Sequence, residues 1–547
     1  MEETTERTQT AYGKFFHIPT ELIKRSGNDT ATSLSSYSSI NDRSNFMRDR
    51  DRVLYCTAFR RLAGKTQIYT TGSDDHKRNR LTHTLEVAQI AKSIARGLGL
   101  DEDLSEAIAL GHDLGHTPFG HAGEEFLHKA MVPHAEKAPL KGTVLGVGEK
   151  NQPLQDTLEN SWERYYSSVK RSPPYSKKAL FGFKHNLQSV RVASSLEDSY
   201  RDPEGNNLGL NLTNYTLWGM QSHSKSDYGE KLGSSYINPN YQHQYEKLLQ
   251  VNGIEQPAWS FEAYVVELAD DIAQWHHDLE DAVRGNALSQ KSIRETINEA
   301  LLPIDGASKE KNEANQKARQ ALEDAETNPV NRSFLAILAH IVVNELVTDL
   351  VETSRANLET LYNAMVSKGY SDCKELYSDY SSVIKQCELE GELEDRFENP
   401  QKIIAFSESV RPNLIKSEIR DVVLHSRDVE RMDSKGQFII KNLFEAYYTN
   451  PQQLTDGAIY QILIDFGFSP TEDTEKYKNT TKAMNVPIGR ARADFQSLLD
   501  LREKADKKGH EEDQALVLNL IIMRRICDHI ASMTDRYALE EYENLYG

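Results

Sequence analysis

A chain of 547 residues is long enough for a large core and for more than one domain. Its formal net charge of −19 argues against general nucleic-acid coating, which needs a basic surface, but leaves an anionic small-molecule substrate open because local clusters set local potential. Four scattered cysteines (Cys56, Cys373, Cys387 and Cys527) suit neither a zinc knuckle nor a disulfide framework, the N-terminus lacks a basic stretch followed by an apolar one, and no apolar run nears the roughly 20 residues that span a bilayer, so the expectation is a reduced, cytoplasmic protein with no membrane partner.

Strand signals are sparse, no repeat of solenoid period occurs, and helical spacing dominates, which predicts an all-α fold. Residues 1–45 read as irregular, with a Ser-rich SLSSYSSI patch. Residues 43–80 carry ten Lys/Arg against four acids; within them RDRDR (Arg48 to Arg52) reads as a solvated helix face whose Asp49 and Asp51 pair with neighbours. The segment RLTHTLEVAQIAKSIA reads as a helix with His83 on the face of Val87, Ile90 and Ile94. HDLGHTPFGHAGEE (His112 to Glu125) follows, and then residues 130–180, Gly/Pro/Lys-rich and poor in periodicity, read as an insertion. Apolar periodicity returns over 181–290, KEKNEANQKARQALEDAETN (309–328) reads as a charged helix or linker, and helices fill 331–546. The expected organisation is an irregular segment 1–45, a catalytic core 46–290 and a helical C-terminal region 291–547.

His112 and Asp113 put an imidazole and a carboxylate side by side, a pair able to hold a divalent metal when further ligands arrive from elsewhere. A lone buried His-Asp pair is more often a structural hydrogen bond; four titratable groups (His112, Asp113, His116, His121), with Glu124 beyond them, among glycines and one proline are harder to explain as core. His83 and, on VVELADDIAQWHHDLEDAV, Asp270 are the candidates to complete the set. Asp270 shares a helix face with Val266, where an unpartnered carboxylate is costly.

RLTH, HDLGHTPFGHAGE and ELADDIA…HDLEDA together resemble the HD-domain phosphohydrolases, and more narrowly the dGTP or dNTP triphosphohydrolases. RDRDRVLYCTAFRRLAGKTQ, FKHNLQSVR, LNLT and ASMTDRYALEEYENL extend the resemblance through most of the chain, excepting 1–45, 130–180 and much of 290–420. The resemblance implies an HD-domain helical core with a helical C-terminal elaboration. It implies metal binding by His83, His112, Asp113 and Asp270, with Mn, Mg, Fe, Co, Ni and Zn undistinguished, and hydrolysis of a dNTP to deoxynucleoside and intact triphosphate. His121 and Glu124 match an acid/base couple. Substrate contacts are implied for Arg80 and His116 at the phosphates, Gln67 at the sugar 3′-hydroxyl, Asn186 at the phosphate side, and Lys231 at a phosphate; His185 stands where the family often has glycine, and Asp278, eight residues after Asp270 on the same helix face, is available to a phosphate-bound lysine or the substrate edge. Gln274 departs from a family tyrosine that packs on the deoxyribose, with Trp275 beside it, which leaves base and sugar open. The implied partners are a nucleoside triphosphate, further copies in a tetramer or hexamer, and an allosteric dNTP or single-stranded DNA. The alternatives are an HD hydrolase of another nucleotide, such as an rNTP or a signalling nucleotide, and a nucleotide sensor or nucleic-acid binder with a vestigial site.

Overall fold

Apolar residues at helical spacing become helices wherever caps and glycines allow, and almost nothing else forms. The computed structural model describes residues 10–25, 43–67, 78–131, 152–170, 182–201, 207–222, 258–285, 287–302, 308–327, 334–408, 426–467, 485–502 and 510–547. Among them the only β pairings are three isolated bridges, so the fold is all-α, as expected.

Helices α1 (Asn45–Tyr55) and α2 (Thr57–Arg61) lead to α3 (Arg80–Leu98). Asn79 caps α3 by accepting from the Thr82 amide at 3.0 Å, and Gly99, at φ 68°, ends it in the left-handed conformation that costs a glycine least. Asp101 caps α4 (Glu102–Gly111) through the amides of Asp103 and Leu104. After the His-Asp turn come α5 (Gly120–Ala130), α6 (Gln152–Ser168), α7 (His185–Arg191) and α8 (Asn214–Ser222), then the long α9 (Phe261–Arg284), capped by Ser260. Helices α10 (Gln290–Ala300), α11 (Lys309–Thr327) and α12 (Phe334–Ser367) follow, with short turns of helix to residue 402. The C-terminal set is α13 (Arg427–Thr449), α14 (Asp456–Asp465), α15 (Asn485–Arg502), α16 (His510–Ala531) and α17 (Asp535–Tyr546).

Two apolar cores result. The first holds α3 and α4 through Val87, Ile94, Leu104 and Ile108, α9 through Val266 and Ile272, and reaches to α12 and Ile404. The second joins Phe126, Leu127 and Trp162 to α13, α14 and α16. These cores cut across the 46–290 and 291–547 division: residues 290–408 pack with the first, whereas α5 and α6 pack with the C-terminal helices. Part of the 130–180 stretch is thus built into a core, with Leu158, Trp162, Tyr165 and Tyr166 buried on α6.

RDRDR differs from a solvated face. Asp49 is fully buried, where it pairs with Arg25 and accepts from the Thr213 amide at 2.9 Å and from the Thr213 and Thr216 hydroxyls. Two threonines and an arginine from distant segments complete a buried carboxylate, which sequence spacing does not display. Asp51 does pair with Arg43 and Arg50. The expectation that no stretch reaches membrane-spanning length is also corrected: α12 has the length and apolar content to cross a bilayer, with 33% of its most apolar window buried in the protein. That window includes Glu345, paired with Lys311, and Asp349, which accepts from the Ser407 amide at 2.8 Å.

Candidate active site

Three elements bring the expected ligands together. His83 comes from the first turn of α3, His112 and Asp113 from the end of α4, and Asp270 from the middle of α9, helices that pack on one another. His83, His112 and Asp113 are buried, and each offers a ligand atom within 4.8 Å of the others. Asp270 Oδ1 lies 2.9 Å from His83 Nε2 and 3.8 Å from His112 Nε2. His112 donates from Nδ1 to the Ala109 carbonyl at 2.6 Å, which turns Nε2 toward the cluster. Burial disfavours charge on both His112 and Asp113, yet their mutual attraction outweighs it, raising the imidazole and, with Arg80 and His83, holding the carboxyl below its usual range. Two imidazole nitrogens and two carboxylates, three of the four side chains buried, form a donor set that fits a divalent cation.

Beside this set lies cationic and polar surface. Arg80 donates to Asp113 Oδ2 at 2.9 Å, while its Nε, Gln67 Oε1 and Asn186 Oδ1 are buried without a hydrogen-bond partner among the described residues. Such groups are rare in a finished interior and are the kind a polar ligand satisfies. A Cβ on Gly120 would stand 3.5 Å from Arg80 Nη2, so glycine keeps that side of the guanidinium open.

Glu124 makes its hydrogen bonds elsewhere than to His121, although His121, Glu124 and His185 offer ligand atoms within 4.8 Å of one another. Its Oε1 accepts from Lys184, and its Oε2 accepts from the His185 amide at 2.9 Å and from His185 Nδ1. These two residues outweigh burial and hold the Glu124 carboxyl well below its ordinary value. The His185 ring stacks on His116 at 3.8 Å between centroids, and exposed His121 lies 5.7 Å from His116 and 6.1 Å from His185. Lys184 was not among the expected site residues; its only sequence signal is adjacency to His185 in FKHNLQSVR.

Residues 80–141 match the HD domain family model, and residues 501–544 match the Phosphohydrolase-associated domain. Over 92% of its length the chain is 29% identical to a "Deoxyguanosinetriphosphate triphosphohydrolase-like protein" of an Azoarcus species, covering 91% of that protein. Like-named proteins of Bartonella henselae and Thiobacillus denitrificans are 27% and 28% identical over 92% of the chain and 90% and 91% of their own lengths. The chain thus carries an HD domain and is similar over most of its length to proteins named as deoxyguanosinetriphosphate triphosphohydrolase-like.

The HD-domain match includes Arg80, His83, His112, Asp113, His116, His121 and Glu124. The C-terminal match supplies struts to that site. Asp535 accepts from the amides of Thr66, next to Gln67, at 2.8 Å and of Phe119 at 2.9 Å. Lys65, which the sequence places in the basic 43–80 cluster but not among the expected site residues, is buried and donates to the carbonyls of His116 and Ala531; burial and nearby Arg80 lower its pKa to about 7. Asp528 accepts from Arg191 at 2.9 and 2.7 Å and from Gln188 at 3.0 Å, fixing the helix that presents His185 and Asn186.

On α9, Gln274 is half-buried, while Trp275 turns into the first core against Phe406, 5.6 Å between ring centroids. Asp278 is buried further along the same helix. Lys231 lies outside the described residues. A second His/acid group, Glu86 with His276 and His277, sits behind His83, but Arg78 occupies its mouth, 3.4 Å from Glu86 and 2.7 Å from Glu280.

Proposed function

We propose that this HD-domain phosphohydrolase cleaves deoxynucleoside triphosphates to deoxynucleoside and inorganic triphosphate. The observation that carries this reading is the convergence of buried His83, His112 and Asp113 with partly exposed Asp270, beside Arg80, with Gln67 and Asn186 offering unsatisfied polar atoms. The names of the similar proteins point the same way.

In this reading His83, His112, Asp113 and Asp270 hold a divalent cation, which when bound polarises an α-phosphate oxygen and draws water to it. Arg80 offsets phosphate charge, held in line by its bond to Asp113. Asn186 and Gln67 orient the phosphate and the sugar 3′-hydroxyl, with Lys231 a further phosphate contact. His116, kept neutral by burial and by Arg80, lines the phosphate side, and the imidazoles around Glu124 handle the proton. A second reading, a ribonucleotide or another nucleotide as substrate, is favoured by Gln274, whose amide can hydrogen-bond a 2′-hydroxyl that an aromatic wall would exclude.

The test is incubation of metal-loaded protein with each dNTP and each rNTP, with nucleoside and intact triphosphate read separately. Asp113→Ala is expected to abolish both metal content and release of triphosphate. Nucleoside monophosphate plus pyrophosphate as products, or undiminished turnover by Asp113→Ala, contradicts the reading.

A further inference from the structure

Glu124 stands three residues beyond His121 on α5, yet both its oxygens accept from the start of α7, Lys184 and His185. An ammonium and a backbone amide can only donate, so Glu124 is the ionised acceptor in this group. The ring proton of His185 therefore sits on Nδ1, and in the neutral ring Nε2 carries the lone pair. The ring is gripped on its face by the stack on His116, and Asp113, His116 and His185 each offer a ligand atom within 4.8 Å of one another. The His185 side chain still keeps 11% of its surface open. A buried carboxylate and an imidazole that it orients, part of whose surface stays open, form the arrangement that activates a nucleophile.

We propose that His185 is the general base of the hydrolysis, with Glu124 and Lys184 as its positioning residues. This rests on the substrate reading above. As the water oxygen bonds to the α-phosphorus, one water proton passes to His185 Nε2. The bond from phosphorus to the 5′-oxygen breaks with its electron pair left on that oxygen. The proton then returns from Nε2 to the 5′-oxygen, so the deoxynucleoside leaves neutral and the triphosphate carries the water oxygen. The transient imidazolium is stabilised by Glu124, whose other oxygen Lys184 pins so that Oε2 keeps facing the ring.

The experiment compares His185→Gln, His121→Gln, Glu124→Gln, Lys184→Met and Lys184→Arg in the full, metal-loaded chain, with metal content and melting temperature measured for each. The substrates are the dNTP that wild type turns over best and bis(p-nitrophenyl) phosphate. His185→Gln and Glu124→Gln are expected to lower kcat by ~10²–10³-fold with KM and metal content nearly unchanged. His121→Gln is expected to cost less than ~10-fold, and Lys184→Met about 10-fold in kcat, restored by Lys184→Arg. Equal or larger loss in His121→Gln than in His185→Gln overturns the assignment. If His185→Gln does not fold, His121→Gln decides: a loss of ~10²-fold or more in kcat there overturns the assignment. Wild type that releases no intact triphosphate from any nucleotide defeats the substrate reading, while the base is still judged on the aryl diester, which needs a base for its water but no acid for its leaving group. Inactivity on both substrates overturns both.

Discussion

Gln274 is where one side chain decides most about substrate. It lies one helical turn beyond Asp270, and the adjacent aromatic, Trp275, packs in the core with Phe406. No aromatic wall for a deoxyribose therefore comes from this stretch of α9. Gln274→Tyr is expected to raise the ratio of kcat/KM for dNTP over rNTP by about 10-fold, the scale of one apolar contact against one lost hydrogen bond; an unchanged ratio removes this account. The residues that carry the site were legible to different degrees. His112 and Asp113 announce themselves by adjacency, and His83 by polarity on an apolar stripe. The partner of Glu124 was not legible, because His185 is 61 positions away and only the packing of α5 beside α7 decides between it and His121. Lys184 was missed for the same reason: a lysine gains meaning from the carboxylate it reaches, and that carboxylate is on another helix.

Among the elements, α7 depends most on its neighbour's lack of a side chain. A Cβ on Gly115 would lie 2.2 Å from the Ser189 amide nitrogen and 2.5 Å from the His185 carbonyl oxygen, both backbone atoms that cannot rotate away. Ser189 ties the same contact from the other side, donating to the His112 carbonyl at 2.6 Å and accepting from the Gly115 amide at 2.8 Å. Gly115→Ala is thus expected to push α7 off the His-Asp turn, carrying His185 and Asn186 with it. The measurement is kcat against metal content: turnover should fall ~10²-fold or more while most metal is retained, because α7 contributes none of the four proposed ligands. Full activity would mean that the turn has room to yield. Helical periodicity disclosed most elements, including α3 and α9, because an apolar stripe needs only local spacing to be seen. It did not disclose that α6 is core, since its buried Trp162 and Tyr165 sit in polar company, nor that Asp49 is an internal anchor for the segment before α8.

At the scale of the molecule, the C-terminal helices act on the site through buried charge. Arg191 and Arg525 outweigh burial and lower the pKa of Asp528 to about 2, against an ordinary 3.8. A carboxyl depressed on folding contributes stability that is fully present above its unfolded value and is lost as pH falls through its folded one. For Asp528 that window runs from about pH 4 down to about pH 2, and the contribution at pH 7 is about 2 kcal/mol. Asp528→Asn leaves Arg191, itself buried, facing a neutral amide. The variant should therefore lose about 2 kcal/mol or more in urea denaturation at pH 7, and its deficit against wild type should shrink between pH 4 and pH 2. Because the same carboxylate holds Gln188 and Arg191 on α7, turnover should fall as well, with metal content preserved. Equal urea midpoints at pH 7 would mean that the junction is held by the apolar contacts of the second core rather than by this ion pair. A stability loss with unchanged kcat would instead separate the strut from the chemistry, leaving Asp535 and Lys65 as the links through which the C-terminal region reaches the site.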